Sequence, residues 1–113
     1  MRSASALIIW NNKILLFHRD DIPTIPYPNY WSLPGGIVEK GETRLQGIKR
    51  ELQEEVSHVP KSLHFLTKIS VKDENEKAFL YYSFVDSKEA KLFKHGPGEG
   101  QGIAFFTRFK IVP

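Results

Sequence analysis

The chain of 113 residues contains no cysteine. Disulfides, thiolate metal sites and cysteine nucleophiles are therefore excluded. It also lacks a long apolar run. The longest, Ala6 to Trp10, is far too short to cross a bilayer, so no membrane partner is expected. No extended apolar core follows Met1-Arg2-Ser3-Ala4, so a secretion signal is not expected and a cytoplasmic setting is. Excess charge is small as well. A formal net charge of +3 helps to attract a polyanion such as a nucleotide, but falls short of the basicity of a dedicated nucleic-acid binder. The four histidines, His18, His58, His64 and His95, show no metal-ligand spacing. There is no internal repeat, linker or low-complexity segment.

What remains is the composition of one soluble domain, residues 1–113, with a single core. Ser5 to Trp10 and Ile14 to His18 are apolar, β-rich runs, and Asn11-Asn12 between them fits a tight hairpin turn. Asp20 to Pro28 carries three prolines in nine residues and reads as an ordered loop. A short strand is expected at Ile37-Val38. Thr43 and Gln46 form a capping-box start, and the helix should run to about Val56. Leu63 to Val71 and Ala78 to Val85 read as strands joined by the turn Lys72 to Glu76. Lys91 to Phe93 reads as a further short strand, His95 to Gly102 as a glycine-rich loop, and Ile103 to Phe109 as a last strand. The order predicts an α+β fold with a mixed β-sheet flanked by helix.

The most informative stretch is Gly36-Ile37-Val38-Glu39-Lys40-Gly41-Glu42 followed by Arg50-Glu51-Leu52-Gln53-Glu54-Glu55. Glu51, Glu54 and Glu55 are spaced by three and four, so they share a helix face. Three like charges there repel, and a hard divalent cation would convert that repulsion into binding. Oxygen-only ligands suit Mg²⁺ or Mn²⁺ better than zinc. A plain solvated helix face is the bland alternative.

These residues resemble the Nudix box, Gly-x5-Glu-x7-Arg-Glu-U-x-Glu-Glu-x-Gly-U with U apolar, and match it through Glu55. The resemblance implies the Nudix fold, an α/β/α sandwich with a mixed sheet. It implies a hydrolase that cleaves a nucleoside diphosphate linked to another moiety, using Mg²⁺ with Mn²⁺ as a substitute. By resemblance Glu51, Glu54 and Glu55 are metal ligands or the base, and the Gly35 carbonyl is a further ligand. Gly36, Glu42 and Arg50 would support the site, the last two as an ion pair. Glu99 corresponds to the loop glutamate of MutT-like members, a ligand or base. Tyr27, Tyr30 and Trp31 precede the glycines and offer faces on which a base could stack.

The box is not complete. Where the family has Gly and an apolar residue after Glu55-Val56, this chain has Ser57 and His58. Glycine there normally ends the helix in a left-handed turn, which serine adopts less readily. The closing C-terminal helix of the family also has no counterpart before Pro113. A second copy of the chain covering the exposed sheet face, a homodimer, is one expectation that follows. The activity expected is that of a MutT-like (d)NTP pyrophosphohydrolase. The alternative is a Nudix-fold module that binds nucleotide without turning it over.

Overall fold

The computed structural model describes residues 1–70 and 76–107. The expected strand ends at Val71 and Phe109, all of the expected Lys72 to Glu76 turn except Glu76, and any closing helix lie outside them. β1 (Arg2–Trp10) and β2 (Lys13–His18) form the hairpin, with Ile9 opposite Ile14 and Trp10 opposite Lys13. Asn11 and Asn12 both hold positive φ, 48° and 63°. A two-residue hairpin turn of the primed type demands this, and asparagine meets the demand more cheaply than most residues.

After the proline-rich loop the chain returns as β3 (Trp31–Ser32), paired with the end of β2. β4 (Gly35–Ile37) then runs antiparallel to the start of β1. This strand starts two residues before the expected Ile37-Val38, because Gly35 and Gly36 themselves lie opposite Ser5 and Ala4. Val38 ends the segment with its side chain in the core.

α1 (Arg44–Val56) begins at the capping box. Thr43 Oγ1 accepts from the Gln46 N–H at 3.1 Å, and Gln46 Oε1 accepts from the Thr43 N–H at 2.9 Å. Two of the helix's orphan donors are thereby satisfied. Ile48, Leu52 and Val56 line its buried stripe. They pack in one cluster with Ala4, Ala6 and Ile8 of β1. Fully burying one such aliphatic side chain contributes roughly 1.5–3 kcal/mol, so this contact fixes the helix on the sheet.

β5 (His64–Ser70) and β6 (Lys77–Phe84) follow, and β6 runs parallel to β1 from Arg2 opposite Lys77 to Ile9 opposite Phe84. β5 is antiparallel to β6, with a register shift between Phe65 and Thr67. A short helix, α2 (Ser87–Ala90), comes next, and β7 (Gly102–Thr107) pairs antiparallel along β2. The sheet order is β3-β2-β1-β6-β5, with β4 also on β1 and β7 also on β2. One parallel pair among antiparallel ones makes the sheet mixed, and the fold is α+β with α1 on one face.

Lys91 to Phe93 is not a strand. Asp86 Oδ1 accepts from the Glu89 N–H at 2.7 Å and starts the α2 turn instead. Leu92 is drawn back to the Glu89 carbonyl, and Phe93 turns inward to the core. The Asp86-x-x-Glu89 spacing is itself a helix-start signal that outweighs three residues of strand-like composition.

Candidate functional site

α1 delivers its acidic residues to the glycine turn at β4. Glu55 faces inward and is only 8% exposed. Its Oε1 accepts from the Gly35 N–H at 2.8 Å. Glu51 is part-buried beside Gly36. A Cβ on Gly36 would sit 2.6 Å from the Glu51 carboxyl carbon, so the absence of a side chain makes room for that carboxylate. Glu54, one helical turn from Arg50, is largely open to solvent.

Arg50 is the countercharge for this cluster. Its guanidinium lies 2.8 Å from Glu42, 3.0 Å from Glu51, 3.3 Å from Glu39 and 3.4 Å from Glu54. It also donates to the Ile37 carbonyl at 3.0 Å. One planar fork therefore ties the 37–42 turn to the helix, a task suited to arginine's five fixed donors. Glu42 in turn accepts from the Glu39 N–H at 2.8 Å. The Arg50 hydrogen bond, aided by that backbone bond, holds the Glu42 carboxyl below its ordinary value.

The inner carboxyls behave in the opposite way. Burial pushes Glu55 up to about 8, reinforced by the fields of Glu51 and Glu99 and opposed by the Gly35 N–H and Arg19. Glu51 is also raised, by burial first, with Arg50 pulling it down and Glu54 and Glu99 pushing it up. These shared fields bring Glu99 into the same electrostatic neighbourhood as Glu51 and Glu55. Its loop is fastened to the end of α1: the Lys94 N–H donates to the Val56 carbonyl at 2.9 Å and the Gly96 N–H to the Glu55 carbonyl at 3.0 Å. Gly96 lies so close that a Cβ there would fall 1.7 Å from the Glu54 carbonyl oxygen. His95 Nε2 donates to the Glu99 and Gly100 carbonyls and curls the loop back.

The altered helix exit is accommodated. Ser57 adopts the left-handed conformation at φ 61°. His58, in place of an apolar residue, meets the Glu89 carboxylate at 2.9 Å and the Phe93 ring edge-on at 5.1 Å. Burial disfavours the charged form of Glu89, but His58, the Lys61 N–H at 2.8 Å and the Lys61 charge together hold it below its ordinary value.

Among the described residues no three acidic or imidazole groups converge as a ready metal cluster. Arg50 draws Glu51 and Glu54 to one side while the Gly35 N–H holds Glu55. The donor set still fits a hard divalent cation. It is oxygen-only, and it contains a buried carboxyl whose proton a dication would displace. Trp31 and Tyr30 stand just before this glycine turn and are 40% and 62% exposed. Arg19, Glu39 and Gly96 take part in this neighbourhood without any sequence signal beyond, for Gly96, its place in a glycine-rich loop.

Known proteins carry the same arrangement of chain. The NUDIX domain family matches residues 1–111. An 8-oxo-dGTP diphosphatase of Escherichia coli is 33% identical over 95 residues, which cover 82% of this chain and 72% of that protein. An ADP-ribose pyrophosphatase of Methanocaldococcus jannaschii is 39% identical over 59 residues, 52% of this chain but only 33% of that protein. The NUDIX domain of Shewanella oneidensis NrtR, solved with ADP-ribose, superposes with a TM-score of 0.79 at 17% identity, covering 98% of this chain and 75% of that one. That last likeness speaks to fold alone. A family match over nearly every residue, joined to a relative at one-third identity of which most is covered, makes this chain a member of the Nudix family.

Proposed function

We propose that the chain is a divalent-cation-dependent hydrolase of a nucleoside diphosphate linked to another moiety, and specifically a (d)NTP pyrophosphohydrolase of the MutT type. The observation that carries this reading is the inward-facing Glu55, buried and raised to about 8 beside Glu51 and in the field of Glu99. A purely structural helix face has no use for carboxyls held at that cost. Glu51, Glu54, Glu55, Glu99 and the Gly35 carbonyl would hold Mg²⁺, or Mn²⁺ in its place. When bound, such a cation neutralises phosphate oxygens and lowers the pKa of water. Among Glu51, Glu54, Glu55 and Glu99 sits the group that accepts the proton of the attacking water. Gly36 leaves room for Glu51, while Glu42 and Arg50 keep the turn against the helix. Trp31 and Tyr30 would stack the base. The Escherichia coli relative favours a purine deoxynucleoside triphosphate, and the Methanocaldococcus jannaschii relative keeps ADP-ribose in the panel.

A nucleotide-binding module without turnover is the second reading. The hold of Arg50 on Glu51 and Glu54 supports it, because that grip competes with a cation. Pyrophosphate or phosphate release separates the two. The panel is dNTPs, 8-oxo-dGTP, ADP-ribose, a sugar nucleotide and a dinucleoside polyphosphate, with Mg²⁺, Mn²⁺ or EDTA. Cation-dependent turnover of one class, lost in Glu54→Gln or Glu55→Gln, is expected for the hydrolase. Tight binding with no turnover would establish the module instead.

A further inference from the structure

A polar cluster outside the Nudix box, joining His18, Asn29 and Gln101, has no assigned role. The His18 imidazole lies flat on the Trp31 indole, centroids 4.3 Å apart and planes 10° from parallel. The Phe106 ring meets the same indole edge-on at 4.8 Å. Trp31 is thus held in a fixed plane while 40% of it stays open to solvent. A backed, half-open aromatic ring is the element on which planar bases stack.

What orients this ring is a hydrogen-bond chain ending on Gln101. His18 Nε2 and Asn29 Oδ1 are 2.8 Å apart. The carboxamide oxygen only accepts, so Nε2 carries the proton. Asn29 Oδ1 also accepts from Gln101 Nε2 at 3.0 Å, and the second hydrogen of that amide goes to the Arg19 carbonyl at 2.7 Å. Both Gln101 amide hydrogens are then spent, and its 3.3 Å approach to His18 Nε2 is a packing contact between two donors. The Gln101 backbone N–H donates to the His18 carbonyl at 2.8 Å. Three segments meet there: the end of β2, the 20–30 loop that leads to Trp31, and the loop that carries Glu99. Cross-links between exposed residues contribute little stability, about 1 kcal/mol each. Their effect is placement.

We propose that Gln101 is a positioning residue for substrate specificity. Through Asn29 and His18 it fixes the Trp31 plane on which a nucleotide's base stacks, and it sets that plane at a defined offset from the carboxylates. This rests on the reading of Trp31 as a base platform. The ligand class is a nucleotide with a planar base, and a bare polyphosphate chain should be indifferent to Gln101.

The test compares dGTP with inorganic tripolyphosphate in the native chain, Gln101→Ala and Gln101→Glu. Gln101→Glu keeps the shape but turns acceptors toward Asn29 Oδ1 and the Arg19 carbonyl. Binding is read with Ca²⁺ from quenching of Trp31 in a Trp10→Phe background, where it is the sole indole. Turnover is read with Mg²⁺. Both variants should weaken dGTP about tenfold in Kd and KM, what losing roughly 1.4 kcal/mol of stacking brings. Their kcat should change less than about threefold and Tm should fall by no more than about ten degrees, and Gln101→Ala, which adds no charge, should leave tripolyphosphate affinity near native. Unchanged dGTP affinity, or equal weakening toward dGTP and tripolyphosphate, would overturn the proposal. The hydrolase reading fails separately: no turnover by the native chain, with base-dependent quenching that Gln101→Ala weakens, would sink that reading and leave this one standing.

Discussion

Glu55→Gln should make the cation-free protein more stable at neutral pH while destroying its function. Burial moves the folded Glu55 carboxyl from 4.5 up to about 8. Between those values the folded protein keeps a proton that the unfolded chain has released. Its stability in EDTA therefore falls as pH rises from about 4.5 to about 8, and levels off above. At about 1.4 kcal/mol per pH unit, the loss reaches roughly 3 kcal/mol by pH 7. Glutamine keeps the shape and still offers Oε1 to the Gly35 N–H, but it cannot ionise. Urea denaturation followed by circular dichroism in EDTA, from pH 5 to pH 8.5, measures the difference. The native chain should lose stability across that range, and Glu55→Gln should lose distinctly less, keeping only the share due to the raised Glu51, and be the more stable of the two above pH 7. Mg²⁺ should restore the native chain most at high pH, where it has no proton to displace, and should do little for the variant. Parallel stability curves for the two proteins across the range would refute the claim that this carboxyl is held protonated by burial.

Three further outcomes follow from the same geometry. Gly36→Ala should fold with a Tm within a few degrees of native, because the atoms nearest the added Cβ are the far end of Glu51, yet lose about tenfold or more in Mg²⁺-dependent rate as that carboxylate is displaced. Ser57→Gly should raise stability by about 0.5–1 kcal/mol in thermal melts, since glycine takes the left-handed helix exit without the strain serine bears. Glu89→Gln should cost about 1–2 kcal/mol at pH 7. The native stability that comes from the depressed Glu89 carboxyl is present above its ordinary value of 4.5 and lost as pH falls through its lower folded value, so the variant should show a flatter acid limb in the same denaturation assay.

The local rules carried far along this chain. Asn11-Asn12 turned where paired asparagines can, and the Thr43/Gln46 box opened α1 where its side chains reach the orphan donors. The alternation in β1 and β6 put every second residue into the core. Lys91 to Phe93 failed because two apolar residues after a lysine carry less information than the Asp86 cap before them. At the site, periodicity put three glutamates on one helix side, but only the fold distinguishes them. Glu55 turns into the core against Gly35, Glu51 nests at Gly36, and Glu54 stays in water. The Gln101–Asn29–His18 chain joins residues 72 positions apart at its longest link, and no spacing rule reaches that distance. The docking of Gly96 on the Glu54 carbonyl is of the same kind, a contact set by tertiary packing alone.

On the proposed function, the acidic face of α1 gathers a divalent cation for phosphoanhydride hydrolysis. Initial rates of pyrophosphate release from 8-oxo-dGTP and dGTP, titrated with Mg²⁺ for the native chain and Glu55→Gln side by side, test it most directly. Saturable Mg²⁺ activation, abolished by EDTA and lost by about a hundredfold or more in the variant, is the result predicted. Turnover that ignores EDTA, or a variant as active as the native chain at every Mg²⁺ concentration, would contradict it.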